Sequence, residues 1–159
     1  MIKRLSSQIV PKELQNKLDL FFNDLQEVGV SYVGHGVVSD EGNHSGYFSH
    51  KQWGELYIQN KYFFVEPILK SFEEKKTDLV SWRQVENDHS IIPLRREYTK
   101  ASSGLTIRKK DKGLNTFFNV GFTQDIDLLD FTYFKRDLLI AYFKVFNNYH
   151  LMWREQKCF

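Results

Sequence analysis

The sequence predicts an α+β fold in which a central antiparallel sheet is covered by helices. Two observations predict it. Apolar residues recur at helical spacing in long segments near both ends of the chain. Between them, two runs rich in β-branched and aromatic residues flank Asp111-Lys112-Gly113, the composition of a hairpin turn. A hairpin flanked by terminal helices is the pattern of a sheet with helices on its faces.

The first helix is predicted over Pro11–Val28. Leu14, Leu18, Phe21, Leu25 and Val28 keep spacings of three and four, Pro11 suits the first turn and Gly29 the end. Val30–Val38 changes to β-branched and small residues and reads as a strand; its glycines allow close approach of a neighbour or ligand. Asp40–Gly46 is expected to be a polar loop, followed by a short strand at Tyr47-Phe48. Ser49-His50-Lys51-Gln52 has the form of a capping box, so a helix carrying Trp53, Leu56 and Tyr57 should follow. Glu66-Pro67 opens another helix with Ile68, Leu69 and Phe72 inward. Thr77-Asp78 breaks it, and Leu79–Trp82 passes back over the core. Arg95–Lys100 forms a short helix. Gly104–Lys109 and Leu114–Thr123 form the hairpin. Asp127–Glu155 is a long helix whose stripe is Phe131, Phe134, Leu138, Tyr142, Val145, Tyr149 and Met152. Its apolar face is wide, which suits a sandwiched helix or an interface.

A chain of 159 residues fits one domain, here residues 1–159. With 42% hydrophobic residues, among them 14 Phe, 8 Tyr and 3 Trp, it can fill a sizeable core. The net charge of +2, from 22 basic and 20 acidic residues, excludes a strongly basic nucleic-acid surface. Arg108-Lys109-Lys110 and Lys112 read as a solvated hairpin tip. The lone Cys158 excludes an internal disulfide and fits a reducing compartment. Neither a signal peptide nor an apolar run of membrane-spanning length is present, so a cytoplasmic protein without a membrane partner is expected.

Catalytic signatures are absent: there is no nucleophile elbow, phosphate loop, zinc spacing or dinucleotide fingerprint. His35, His44 and His50 cluster in sequence, but their spacing does not suit a metal, and they are expected to be exposed or beside a cap. Asp125 and Asp127 read as helix-start residues. The notable constellation is Trp53, Tyr57, Tyr62, Glu66-Pro67 and Trp82. Trp53 and Tyr57, four apart, share a helix face. A carboxylate among three aromatics is either a cap within the core or a buried acceptor in an apolar cavity. Buried indole and phenol groups need partners, so their convergence on a carboxylate suits a small polar ligand.

The string Ser49-His50-Lys51-Gln52-Trp53-x3-Tyr57-x4-Tyr62-x3-Glu66-Pro67, then Trp82, resembles the autoinducer-binding domain of LuxR-type quorum-sensing regulators. Gly104-Leu105-Thr106 and Val28–Tyr32 extend the resemblance over nearly the whole chain. It implies an α-β-α sandwich with a pocket between the sheet and one helical layer, holding an N-acyl homoserine lactone. By that analogy Trp53 donates to the lactone carbonyl, Glu66 accepts from the ligand amide, and Tyr57 and Trp82 wall the pocket, with Ser49, Tyr32 and Thr106 as further ligand-binding positions.

Three features depart from the family pattern. The acid is Glu66 rather than Asp, Ser49-His50 stands where a Tyr and then a Pro are usual, and Arg108 follows Gly104-Leu105-Thr106-Ile107 where a Pro is usual. The resemblance also implies a non-enzymatic sensor in transcriptional control, with no cofactor beyond its signal ligand and no metal. Since the helix-turn-helix domain usual after the long helix is not in the sequence, no direct nucleic-acid contact is expected. The expected partner is a second copy or a full-length regulator. The alternatives are a ligand-independent partner that heterodimerises with and inhibits a regulator, and a lactone-processing hydrolase using the histidines.

Overall fold

The computed structural model describes residues 6–66, 68–70, 72, 78–85, 91–111, 113–123 and 128–157. The expectations for Met1–Leu5, Pro67, Thr77, Lys112, Asp125, Asp127 and Cys158 lie outside the described residues. The chain opens with a strand that the sequence pattern does not reveal, β1 (Ser7–Ile9). It is followed by α1 (Lys12–Gln26), β2 (Tyr32–Ser39), β3 (His44–Phe48) and α2 (Lys51–Gln59). A 3₁₀ turn at Tyr62–Val65 leads to helical residues at 68–70 and 72. Then come β4 (Leu79–Ser81), a 3₁₀ turn at Trp82–Val85, α3 (Ile91–Thr99), β5 (Ser103–Asp111), β6 (Leu114–Phe122) and α4 (Leu128–Lys157).

The strands form one sheet in the order β1-β3-β2-β6-β5-β4. Every neighbouring pair is antiparallel except β1 with β3, which is parallel and puts Gln8 beside Ser45. The predicted antiparallel sheet is therefore correct for five strands, and β1 adds a parallel edge. Both edge strands, β1 and β4, have three residues.

Helices cover both faces. α1 and α4 pack on one, where Leu18, Leu25, Val33, Tyr47, Phe118, Val120, Phe122 and Phe146 form the core. α2, α3 and residues 68–70 and 72 cover the other, around Tyr32, Phe48, Trp53, Ile68, Phe72, Trp82 and Ile91. The α-β-α sandwich is thus observed.

Local differences have physical causes. In α1 the innermost aromatic is Phe22; Phe21 turns sideways to meet α4, with its ring 5.5 Å from that of Tyr149. Among the described side chains of α4, which do not include those of Phe131 and Phe134, the buried stripe is Leu139, Phe143, Phe146 and His150, one residue round from the predicted stripe, and Met152 is 55% exposed. Polar Asn147 and His150 belong to that buried side, so an apolar count cannot find it.

The predicted capping box does not form. His50 occupies the N-cap position of α2 without a side-chain cap bond, while the Ser49 hydroxyl accepts from Val33 N at 2.9 Å and Ser49 N donates to Val33 O. Ser49 thus extends the β2–β3 ladder rather than capping the helix. The expected loop at Asp40–Gly46 is shorter, because β3 begins at His44.

Candidate functional site

The two faces of the sheet are built differently. Along a strand, alternate residues face opposite sides, and the cross-strand register shows which residues share a side. Gly34, Gly36, Gly46, Gly104 and Gly121 all fall on the side covered by α2 and α3. The opposite side carries Val33, His35, Val37, Tyr47, Phe118, Val120 and Phe122. One face is therefore filled by its own side chains, and the other is hollow at backbone level.

Aromatic rings lie in that hollow. A Cβ on Gly104 would stand 2.6 Å from the Trp82 ring and 2.6 Å from Val120 O. A Cβ on Gly34 would meet the Tyr32 hydroxyl at 2.5 Å. Glycine is needed at both positions because the Trp82 ring and the Tyr32 hydroxyl come close against the strand backbone there.

The helical layer supplies the rest. α2 is amphipathic, and its buried side presents Trp53 and Tyr57, whose ring centroids are 5.7 Å apart. Glu66 ends the Tyr62–Val65 turn and accepts the backbone bond of Lys70, which opens the following helical residues. Its side chain is 3% exposed, so it lies in the core rather than on the surface. Trp82 lies just beyond β4; its Nε1 donates to Thr106 Oγ1 at 3.0 Å, and Thr106 donates onward to Asn119 Oδ1 at 2.6 Å. Tyr32 brings its ring to 6.2 Å from that of Trp82.

Of the predicted positions, Trp53, Tyr57, Glu66, Trp82 and Tyr32 converge on one face. Thr106 supports Trp82 from behind. Ser49 belongs to the strand ladder.

Sequence reasoning missed Arg95. It projects from α3 into the centre of the cluster, where Nη2 donates to Glu66 Oε2 at 2.5 Å. The guanidinium carbon lies 5.3 Å from the Trp53 ring centroid and 5.4 Å from that of Trp82. A signal for it exists: Ile91, Arg95 and Thr99, spaced by four, place the charge on the apolar side of α3.

The cluster is electrostatically tight. Burial pushes the Tyr32 hydroxyl up to about 12, opposed by Arg95, and burial with the nearby Glu66 raises Tyr57 well above its ordinary value. Arg95 stays charged: burial acts most strongly against the cation, but Glu66, Tyr32 and Tyr57 together outweigh it and the net direction is upward. Trp53 Nε1, Arg95 Nε and Nη1, and Glu66 Oε1 are buried without a hydrogen-bond partner among the described residues. Trp53 and Arg95 turn donors toward the Tyr32 hydroxyl without closing bonds of normal geometry. The cavity beside Glu66 and Arg95 measures about 20 Å³ and reaches Gly36, Gly46, Tyr57 and Phe117. That volume admits about one water molecule.

The histidines correct a second expectation. His35 and His44 are buried, and a polar chain runs beneath the sheet on the α4 side. His35 Nε2 donates to Asn147 Oδ1 at 2.5 Å, leaving its Nδ1 as acceptor for His150 Nδ1 at 2.8 Å. His150 Nε2 then accepts from Ser45 Oγ at 2.9 Å, and Ser45 accepts from Arg154 Nη1. Both rings are neutral and each has a fixed tautomer. His44 faces the other side, stacked on Phe63 and bonded to Ser7 Oγ at 2.7 Å. No group of three or more His, Cys, Asp or Glu among the described residues is arranged to hold a metal. No described helix is long and apolar enough to cross a membrane.

No protein-family model matches the sequence, and no curated protein matches it. Solved structures do. Escherichia coli SdiA superposes with a TM-score of 0.62 at 14% identity, covering 86% of this chain and 60% of SdiA. SdiA has also been solved in complex with octanoyl-rac-glycerol. The N-acylhomoserine lactone-dependent LuxR-family factor CepR2 from Burkholderia cenocepacia gives 0.61 at 14% identity, covering 91% of this chain and 99% of that one. The VqsR ligand-binding domain from Pseudomonas aeruginosa gives 0.57 at 13%, covering 86% and 93%. The chain spans about three fifths of the length of SdiA. What these proteins share with it is the fold: this chain has the fold of the autoinducer-binding domains of LuxR-family regulators.

Proposed function

We propose that this chain is a small-molecule sensor domain of a LuxR-type regulatory system and catalyses no reaction. The observation that carries the reading is the one-sided sheet: five glycines face α2 and α3, where Trp53, Tyr57, Glu66 and Trp82 gather. An indole that donates and a carboxylate that accepts suit a ligand with a carbonyl and an N–H or O–H group, and the aromatic walls suit an acyl chain. CepR2 depends on an N-acylhomoserine lactone, and SdiA binds an octanoyl glycerol. Both chemistries present that combination, so acyl lactones and acyl glycerols are the ligand classes to test. Exposed apolar Ile140 and Met152 on α4 leave that helix open to pairing with a second copy or a full-length regulator.

The test is a titration of the purified chain with both acyl series, followed by ¹H–¹⁵N NMR. Saturable movement of the Trp53 and Trp82 indole signals is expected. Response from neither series, or response confined to the α1/α4 face, would remove the reading.

A further inference from the structure

Two indole faces above a carboxylate make a site for a cation: the ring quadrupoles and the negative charge attract the same partner. The site on the α2/α3 face has this composition, and the chain provides the cation. Arg95 places its guanidinium 5.3 and 5.4 Å from the Trp53 and Trp82 rings and donates to Glu66. We propose that Arg95 is the resident occupant of the sensor site, closing the α2/α3 layer from within so that the domain folds without a bound small molecule.

The proposal rests on the sensor reading of this face and adds what holds the face shut. Three geometric facts carry it. First, one side chain joins four separately positioned elements: α3 through its own backbone, α2 through Trp53, the turn after β4 through Trp82, and the segment opening at Glu66. Second, the pair is buried, with side-chain exposures of 6% for Arg95 and 3% for Glu66, so both charges are withdrawn from bulk solvent. Third, the space remaining beside the pair is about 20 Å³, far below the few hundred that a drug-sized ligand occupies.

The consequence is a requirement on any signal that enters. It has to part Arg95 from Glu66 and satisfy both: an acceptor for the guanidinium, and an N–H or O–H donor for Glu66. Arg95 Nε and Nη1 and Glu66 Oε1, which lack partners among the described residues, are the atoms that such a molecule would meet.

Chemical rescue tests the proposal. Arg95→Ala removes the cation and leaves the cage, and methylguanidinium is the probe. Methylguanidinium at about ten times its dissociation constant is expected to raise the Tm of R95A by about 4 °C. It should leave the wild type and the R95A/E66Q double variant unmoved. Native mass spectrometry of the wild type should give the bare chain mass.

A folded R95A that methylguanidinium does not stabilise would overturn the proposal, as would a stoichiometric small-molecule adduct on the folded wild type. Should R95A stay unfolded even with the probe, the wild-type mass decides: the bare mass upholds the proposal and the adduct overturns it. The two readings fail separately. Response to an acyl series without rescue of R95A keeps the sensor and removes the resident arginine, and rescue without acyl response does the reverse.

Discussion

Acidification should unfold this protein through two buried histidines on opposite faces of one sheet. His35, between Asn147 and His150, is lowered from 6.5 to about 4, mainly by burial and against the Asn147 bond. His44, against Phe63 and Ser7, is lowered to about 3 by burial, with Arg154 adding repulsion. In both cases the folded state holds the proton more weakly than the unfolded chain does. Stability from these sites is therefore complete above the unfolded value of 6.5 and is lost as pH falls toward 4 and 3.

Between about pH 7.5 and about pH 5, each site forfeits about 2 kcal/mol, or about 4 kcal/mol for the two. That is a large share of the ordinary stability of a domain, about 5–15 kcal/mol. With a urea m-value of about 2 kcal/mol per molar, the midpoint should drop by about 2 M. The assay is urea unfolding followed by tryptophan fluorescence at both pH values, for the wild type and for His35→Gln/His44→Gln. The double variant should lose much of the pH dependence; the rest comes from His150, which burial, with His35, Arg154 and His44 nearby, also holds well below its ordinary value. A wild-type midpoint that moves by less than about 0.5 M, or an equal fall in the double variant, would refute the reasoning.

Two further outcomes follow from the site. Gly104→Ala drives a methyl into Val120 O and the Trp82 ring, and should cost about 2–3 kcal/mol, read as a Tm fall of roughly 5–10 °C by calorimetry. Thr106→Val strands the Trp82 indole N–H and the Asn119 carbonyl together, and should cost about 2 kcal/mol in urea unfolding, whereas Thr106→Ser should cost less than about 1 kcal/mol.

Much of the fold is legible in the sequence because its signals are local. Helical spacing marks α1, the β-branched run marks β2, and Asp111-Lys112-Gly113 separates β5 from β6. The elements that escape depend on distant partners. β1 is three residues long and exists because β3 offers it an edge, which a three-residue pattern cannot announce. The Ser49 signature is present, but the hydroxyl bonds to Val33, sixteen positions away, instead of to its own helix. His35 reads as a polar residue between two glycines; it is buried because Asn147 and His150, more than a hundred residues later, complete its bonds.

The site divides in the same way. Trp53, Tyr57 and Glu66 lie within fourteen residues and declare themselves by spacing. Arg95 does not, since a charge on the inner side of a short helix makes sense only once Glu66 is known to be buried opposite it. The five glycines are visible individually, yet their common side emerges only from the cross-strand register.

That common side also decides how the domain can yield. Where α1 and α4 lie, space is occupied by the strands' own branched and aromatic side chains, so admitting a guest would mean displacing backbone. Over the glycines, space is held by rings such as Tyr32 and Trp82 lying across bare main chain. Turning one of them about its side-chain torsions creates volume while the strand beneath stays in register. The sheet can thus act as a fixed plate under a set of movable tiles. A molecule arriving there would be registered as a change of rotamer, passed to whichever helix leans on the turned ring.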